Sequence, residues 1–217
     1  MKKLLLTVAL AASPLLAVAQ WEYRDSNRIG IIGGINQMSL NTDNFDAKPE
    51  IGWNVGLSMR GNFYNDFDMV YAMQFSENKF AVATTNPLTA QKKDVGFKLP
   101  SAQISLMLSY KIVENHLSIE FGPMLQVNDK FKIDDDASVN NVIDGTMIKA
   151  GDIRKISKFN FYPVAGVTFG IKHLRANVQY AYGLTNMLGN LNDATLYPGV
   201  KFKGNAGILS GNLIIYL

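Results

Sequence analysis

The 217-residue chain has no cysteine and only two histidines. The first absence excludes disulfides, thiolate metal ligands, a cysteine nucleophile and the acylated cysteine that would anchor a bacterial lipoprotein. The second leaves His116 and His173 alone, each in a turn-like stretch with no second ligand in motif spacing, so no metal site or catalytic role is expected of them. No Gly-x-Ser-x-Gly nucleophile motif occurs. Gly33-Gly34 lies in a strand-like stretch with no helix after it, which suits close packing better than a phosphate cradle. No enzymatic function and no cofactor are therefore expected. An excess of one charge is lacking too. Lys and Arg number 21 against 18 Asp and Glu, a formal +3 to which Lys2 and Lys3 contribute two units, and this gives no reason to expect nucleic acid.

Long apolar runs are also missing, with one exception at the start. Lys2 and Lys3 precede an apolar stretch from Leu4 to Leu16 and the small-residue sequence Ala17-Val18-Ala19, the three parts of an export signal. A cut after residue 19 would leave a single domain at 20–217. The stretch falls short of the roughly 20 residues that a membrane-spanning helix needs, so it reads as a leader and not as an anchor.

A near-zero mean hydropathy, +0.02, does not exclude a membrane protein. Barrel strands cross with about 9–11 residues that alternate lipid-facing and lumen-facing side chains, so their averages stay low. That alternation is present. In 51–64, Ile51, Trp53, Val55, Leu57, Met59 and Phe63 oppose Gly52, Asn54, Gly56, Ser58, Arg60 and Asn62. It recurs in 67–76, 102–111, 117–128, 159–171, 174–184 and 209–217, with a weaker first strand at 28–40. Tyr216 falls on the polar parity of the last strand. Eight strands predict an all-β, eight-stranded antiparallel up-and-down transmembrane barrel.

The connections support this reading because they alternate in length. Residues 65–66, 114–116 and 172–173 are tight turns, whereas 41–50, 79–98, 129–158 and 185–204 read as long polar links. Short periplasmic turns, long external loops and both termini on the periplasmic side are the asymmetry expected of an outer-membrane barrel. An unpaired edge in hydrocarbon costs several kcal/mol per backbone group, so the first and last strands should pair. Trp53, Phe63, Tyr64, Phe67, Tyr110 and Tyr182 near strand ends suit interfacial girdles.

An eight-stranded barrel is just wide enough for its own side chains. The inward rows place Arg60, Asp68, Lys111, Glu120 and Arg175 there, with Asn54, Gln103, Gln126 and Gln179. Buried charges need partners, so these form a structural lumen network. Asp134-Asp135-Asp136, with Asp144 and Asp152, makes the long 129–158 link oxygen-rich. It lacks the glycine and terminal glutamate of an EF-hand loop, and a solvated loop is expected in place of a Ca²⁺ site.

Several stretches resemble a known group: KPEIGWNVGL at 48–57, LPSAQISLMLSYKI at 99–112, LSIEFGPMLQV at 117–127 and FNFYPVAGVTFGIKHLRANVQYAYGLTNM at 159–187, with GIIGGIN at 30–36. Their segments Phe121-Gly122-Pro123 and Tyr182-Gly183-Leu184-Thr185-Asn186 are the most characteristic. The chain is similar to the outer-membrane β-barrel family of Bacteroidetes-type bacteria that includes the PorT-like proteins. The resemblance implies an eight-stranded outer-membrane barrel without catalytic residues, one branch of which is associated with protein secretion. A structural or interaction role through the external loops is expected. Outer-membrane lipid and lipopolysaccharide would surround the wall, and a protein partner would bind at 129–158. The alternative is a small-solute conduit or an outer-membrane enzyme with a site at the loop rim.

Overall fold

The computed structural model describes residues 27–192 and 199–217; the expected leader, 1–19, lies outside them. Ten strands follow one another: β1 (Arg28–Thr42), β2 (Ala47–Tyr64), β3 (Phe67–Thr85), β4 (Lys92–Val113), β5 (Leu117–Asn128), β6 (Lys132–Ile133), β7 (Val142–Ile143), β8 (Phe159–Gly170), β9 (Leu174–Tyr182) and β10 (Gly204–Tyr216). Each long strand pairs antiparallel with its neighbours, and β1 pairs with β10 from Gly30 opposite Tyr216 to Thr42 opposite Gly204. Eight long strands thus form a closed ring with no free edge. No helix among the described residues is long and apolar enough to cross a membrane.

Closure brings backbones very near one another on the inner face. A Cβ on Gly34 would collide with the Gly211 carbonyl of β10, and one on Gly56 with the Met73 carbonyl of β3. Of the Gly33-Gly34 pair only Gly34 is crowded, since a Cβ on Gly33 would meet nothing nearer than 3.7 Å. The turns at the other ends of these strands are short. Asn65 begins the two-residue link between β2 and β3 with φ 46°, a left-handed conformation that asparagine tolerates and that hairpins favour.

Burial follows the alternation most regularly in β5, where every second residue from Ser118 to Asn128 is buried and the others are half-buried or exposed. Ile104, Leu106, Leu108, Ile119, Phe121 and Leu125 stand on the outer surface at 41–62% exposure. A water-soluble protein would not display such a continuous apolar wall. The girdle candidates Trp53, Phe63, Tyr64, Tyr110 and Tyr182 are also exposed, while Phe67 is half-buried against Tyr110, with ring centroids 5.2 Å apart.

Two expected links are not loops. β3 continues to Thr85 and β4 starts at Lys92, paired residue by residue from Glu77 opposite Pro100 to Thr85 opposite Lys92. Most of 79–98 is therefore hairpin, and only 86–91 turns. Likewise 41–50 shrinks to 43–46, because β1 runs to Thr42 and β2 starts at Ala47. The 22 residues of β4 extend about 70 Å at ~3.3 Å each, far beyond the ~25 Å apolar band of a membrane barrel even when tilted.

The physical reason lies in which row is apolar. Along β3 the outward row Met69, Tyr71, Met73, Phe75 gives way to Glu77 and Lys79, while the inward row changes from Gln74, Ser76 and Asn78 to Phe80 and Val82. β4 does the same, from inward Ser105, Gln103 and Ser101 to Leu99, Phe97 and Val95. Inward positions stay buried from Asp68 to Thr84 on β3 and from Val95 to Ser109 on β4. Only the medium outside the wall changes, from lipid to water, and the apolar row moves to the inner face there.

Candidate functional site

The lumen has two ends of different chemistry. Near the short turns, β2 and β3 leave their connecting turn with Arg60 and Asp68 facing inward. Arg60 donates to Asp68 at 3.1 Å, to the Ser109 hydroxyl at 2.8 Å and to Glu120 of β5 in a very short contact. Both Arg60 and Glu120 are almost wholly buried. Lys111 Nζ lies 3.6 Å from Asp68. Asn177 of β9 donates to Glu120 at 3.3 Å and to Thr168 at 3.0 Å, and accepts from Asn212 at 3.1 Å. A fixed set of charges thus ties β2, β3, β4, β5 and β9 together across the barrel.

Four of the five charged residues named from the sequence meet here. Arg175 does not join them in an ion pair, although it faces the same space and is 3% exposed. The amides divide differently: Gln103 donates to Gln126 at 2.9 Å and Gln126 to Asn128 at 2.6 Å, a separate chain on β4 and β5. Asn54 Oδ1 is buried without a partner, and Gln179 is half-buried and enters neither group. Tyr216 was not among the expected participants. Its inward parity places its hydroxyl 3.2 Å from Ser58 and against Arg60.

At the other end the lumen is closed by apolar side chains. Phe80 of β3 and Phe97 of β4 stack with centroids 5.1 Å apart, and Phe131 stands edge-on to both at 4.9 and 6.1 Å. All three are fully buried. Ile143, Ile153, Met187, Leu188 and Phe202 extend the same cluster. Residues 129–158 are therefore not a free polar loop. β6 pairs with β4, Ile133 opposite Phe97, and β7 pairs with β3, Ile143 opposite Thr84. The long loop lies folded on the projecting hairpin as a cap.

The aspartates of that loop face lysines. Asp134 pairs with Lys98 at 2.9 Å, Asp135 with Lys93 at 2.7 Å and Asp144 with Lys92 at 3.7 Å, all on the hairpin or its edge. Asp135 also caps the short turn 136–138, accepting from the Ala137 N–H. The Lys93 hydrogen bond, followed by that from Ala137, holds the Asp135 carboxyl below its ordinary range. No group of three or more potential metal ligands comes together among the described residues. His116 and His173 sit in short turns and meet backbone carbonyls, Glu114 at 2.8 Å and Tyr216 at 3.3 Å respectively.

Leu88, at 93% exposure, and Met147, at 87%, project from this cap into water. Leu88 lies in the 86–91 turn, where its N–H donates to Asn86 Oδ1 at 2.9 Å. Met147 lies in a turn closed by the Ile143 N–H donating to the Ile148 carbonyl at 2.8 Å. Two apolar tips thus stand on ordered turns at the ends of the paired β3 and β7.

A family model described as outer membrane protein beta-barrel domain matches residues 18–189. No match was found among curated proteins. Among solved structures, the chain is similar to the Neisserial surface protein A, NspA, with a TM-score of 0.50 and 12% identity over 86% of this chain and 96% of that one. It is also similar to Ail of Yersinia pestis, solved with the heparin analogue sucrose octasulfate (0.47, 14%, 88% and 99%). OprG of Pseudomonas aeruginosa gives 0.45 and 10%, covering 88% and 96%. Identities this low speak to fold alone, and of these three the NspA likeness, at a TM-score of 0.50, carries that statement.

Proposed function

Because the chain belongs to the outer membrane protein β-barrel domain family, we propose that this bacterial outer-membrane barrel works as a non-catalytic interaction protein through its capped outer face. The observation that carries this reading is the cap itself. Eight-stranded barrels have no wide pore, and here Phe80, Phe97 and Phe131 fill the outer end. Such a construction serves poorly as a conduit. It serves well as a rigid platform, because ordered surfaces lose little conformational entropy on binding.

The surface offered to a partner comprises the 86–91 and 143–148 turns, with Leu88 and Met147 as anchors. Exposed apolar side chains on ordered backbone contribute to binding in proportion to the apolar area that a partner removes from water. The partner would be a protein of the envelope or of the cell exterior. An accessory part in protein secretion, which the resemblance to PorT-like proteins implies, is one form of this role. Lipid and lipopolysaccharide would contact the wall around it.

A photo-crosslinking residue placed at Leu88 or Met147 in the native envelope tests the reading. Discrete protein adducts are expected from both positions and none from lipid-facing Ile104. The same pattern at all three positions, or no adduct at either tip, contradicts it.

A further inference from the structure

Among the described residues, the base of the lumen carries more positive charge than its carboxylates balance. Arg28, Arg60, Lys111 and Arg175 lie there against Asp68 and Glu120. Both carboxylates are already engaged by Arg60, and Asp68 by Lys111 as well. Arg175 is 3% exposed and joins none of the ion pairs among the described residues, and its Nε is buried without a partner. The Nε atoms of Arg28 and Arg60 are buried and unpartnered in the same way. Arg60 and Arg28 oppose the charge on Arg175, while Tyr216 and Asp68, the latter already engaged by Arg60 and Lys111, favour it.

A buried guanidinium with no ion pair of its own is costly in a medium of low dielectric. Proteins avoid that cost by pairing the cation, and among the described residues no carboxylate forms an ion pair with Arg175. Its place is equally specific. Arg175 is the second residue of β9, just past the 171–173 turn. Arg28 opens β1 and holds two short turns together by donating to the Lys172 carbonyl at 2.9 Å and to Asn115 Oδ1 at 3.0 Å. Both therefore lie at the short-turn end of the barrel, the periplasmic mouth in the orientation expected of such barrels, away from the cap.

We propose that the periplasmic end of the lumen is a binding site for one small inorganic oxyanion, held chiefly by Arg175 with Arg28 at its entrance. A tetrahedral oxyanion suits the group because a guanidinium offers donors in a planar fork that matches two oxygens at once. The bound ion would neutralise the excess charge, fixing β1 and β9 beside the β1–β10 closure. This site is independent of any partner at the cap, although it rests on the same barrel.

The test is titration calorimetry with phosphate on the folded full chain in zwitterionic detergent, at constant ionic strength maintained with gluconate. Saturable binding of one phosphate per chain is expected, and Arg175→Gln should weaken it by about tenfold or more, the loss of a charge-assisted hydrogen bond. Arg175→Lys should retain part of it, and Lys201→Gln, on the outer loops, should leave it unchanged. Should Arg175→Gln not fold, Arg28→Gln provides the same comparison at the entrance. Absence of saturable binding by the unmodified protein overturns the proposal. So does binding that both arginine variants leave intact, which would place the anion elsewhere.

Discussion

Phe80 and Phe97 face each other across the β3–β4 hairpin with their rings 8° from parallel, on the inner side of a segment whose outer side carries Lys79 and Lys98. The pair marks where the wall has left the lipid and become a water-exposed dome with its own core. Phe131 closes that core from the long loop. Phe131→Ala is expected to destabilise the cap by about 3–5 kcal/mol, the usual cost of emptying a buried aromatic site. Hydrogen exchange should rise across 129–158, while the barrel keeps its heat-modifiable migration on gels. Deleting 132–155 should likewise expose Phe80 and Phe97, so that the shortened protein aggregates out of detergent instead of remaining an intact barrel.

The charged base should behave differently from the charged surface. Glu120→Gln leaves buried Arg60 with Asp68 as its one carboxylate, and a loss of about 3–5 kcal/mol is expected, as for other broken buried pairs. Asp94→Asn, which breaks the exposed Lys48 pair, should cost no more than about 1 kcal/mol. Urea titration of the folded form in detergent or vesicles measures both. Equal effects would mean that the base network contributes no more than a surface pair.

Glycines at the closing seam give a contrast of position. Gly34→Ala forces a Cβ into the Gly211 carbonyl and should cost about 1–3 kcal/mol and slow assembly, as overpacking does. Gly211→Ala points its Cβ into open space and is expected to be neutral or to stabilise by about 0.4–1 kcal/mol. The folded fraction at a fixed urea concentration ranks the two variants.

The barrel was legible in the sequence because each strand keeps one apolar parity while it crosses lipid. From 117 to 128 nothing interrupts that alternation, and the strand was found to the residue. The hairpin extension was not, because at Ser76–Glu77 and again at Leu99–Ser101 the apolar row changes sides. The greasy outer row ends there, so that by its pattern 79–98 reads as a long polar link. Phe80 and Val82, then Val95, Phe97 and Leu99, continue a period of two on the other face. In the lumen, parity alone placed Arg60, Asp68, Lys111 and Glu120 inward. It placed Tyr216 inward too, but which groups meet depends on strand stagger, which a single strand's pattern does not carry. For the same reason Arg175 shares the lumen's end without sharing its ion pairs.

Acid should loosen one corner of the cap. Asp135 has its carboxyl held below the ordinary value of 3.8 by Lys93 first and then by the Ala137 N–H. The stabilisation is therefore complete above that value and is lost as the pH falls below it. Hydrogen-exchange protection at 136–138, taken relative to the intrinsic rate at each pH, should be unchanged between pH 7 and pH 5 and should fall only under more acidic conditions. Asp135→Asn should show the looser behaviour at every pH. Because the pair is solvent-exposed, added salt should weaken the effect.

The orientation of the wall is open to direct measurement because the natural chain has no cysteine to interfere. Single cysteines at Lys98, Met147, Met73 and Asp66 would be exposed in whole cells to a maleimide that does not cross membranes. Labelling is expected at Lys98 and Met147 in intact cells, at Asp66 only after the outer membrane is opened, and at Met73 in neither case. Labelling of Asp66 in intact cells, or free labelling of Met73, would contradict a lipid-embedded barrel that carries its cap outside.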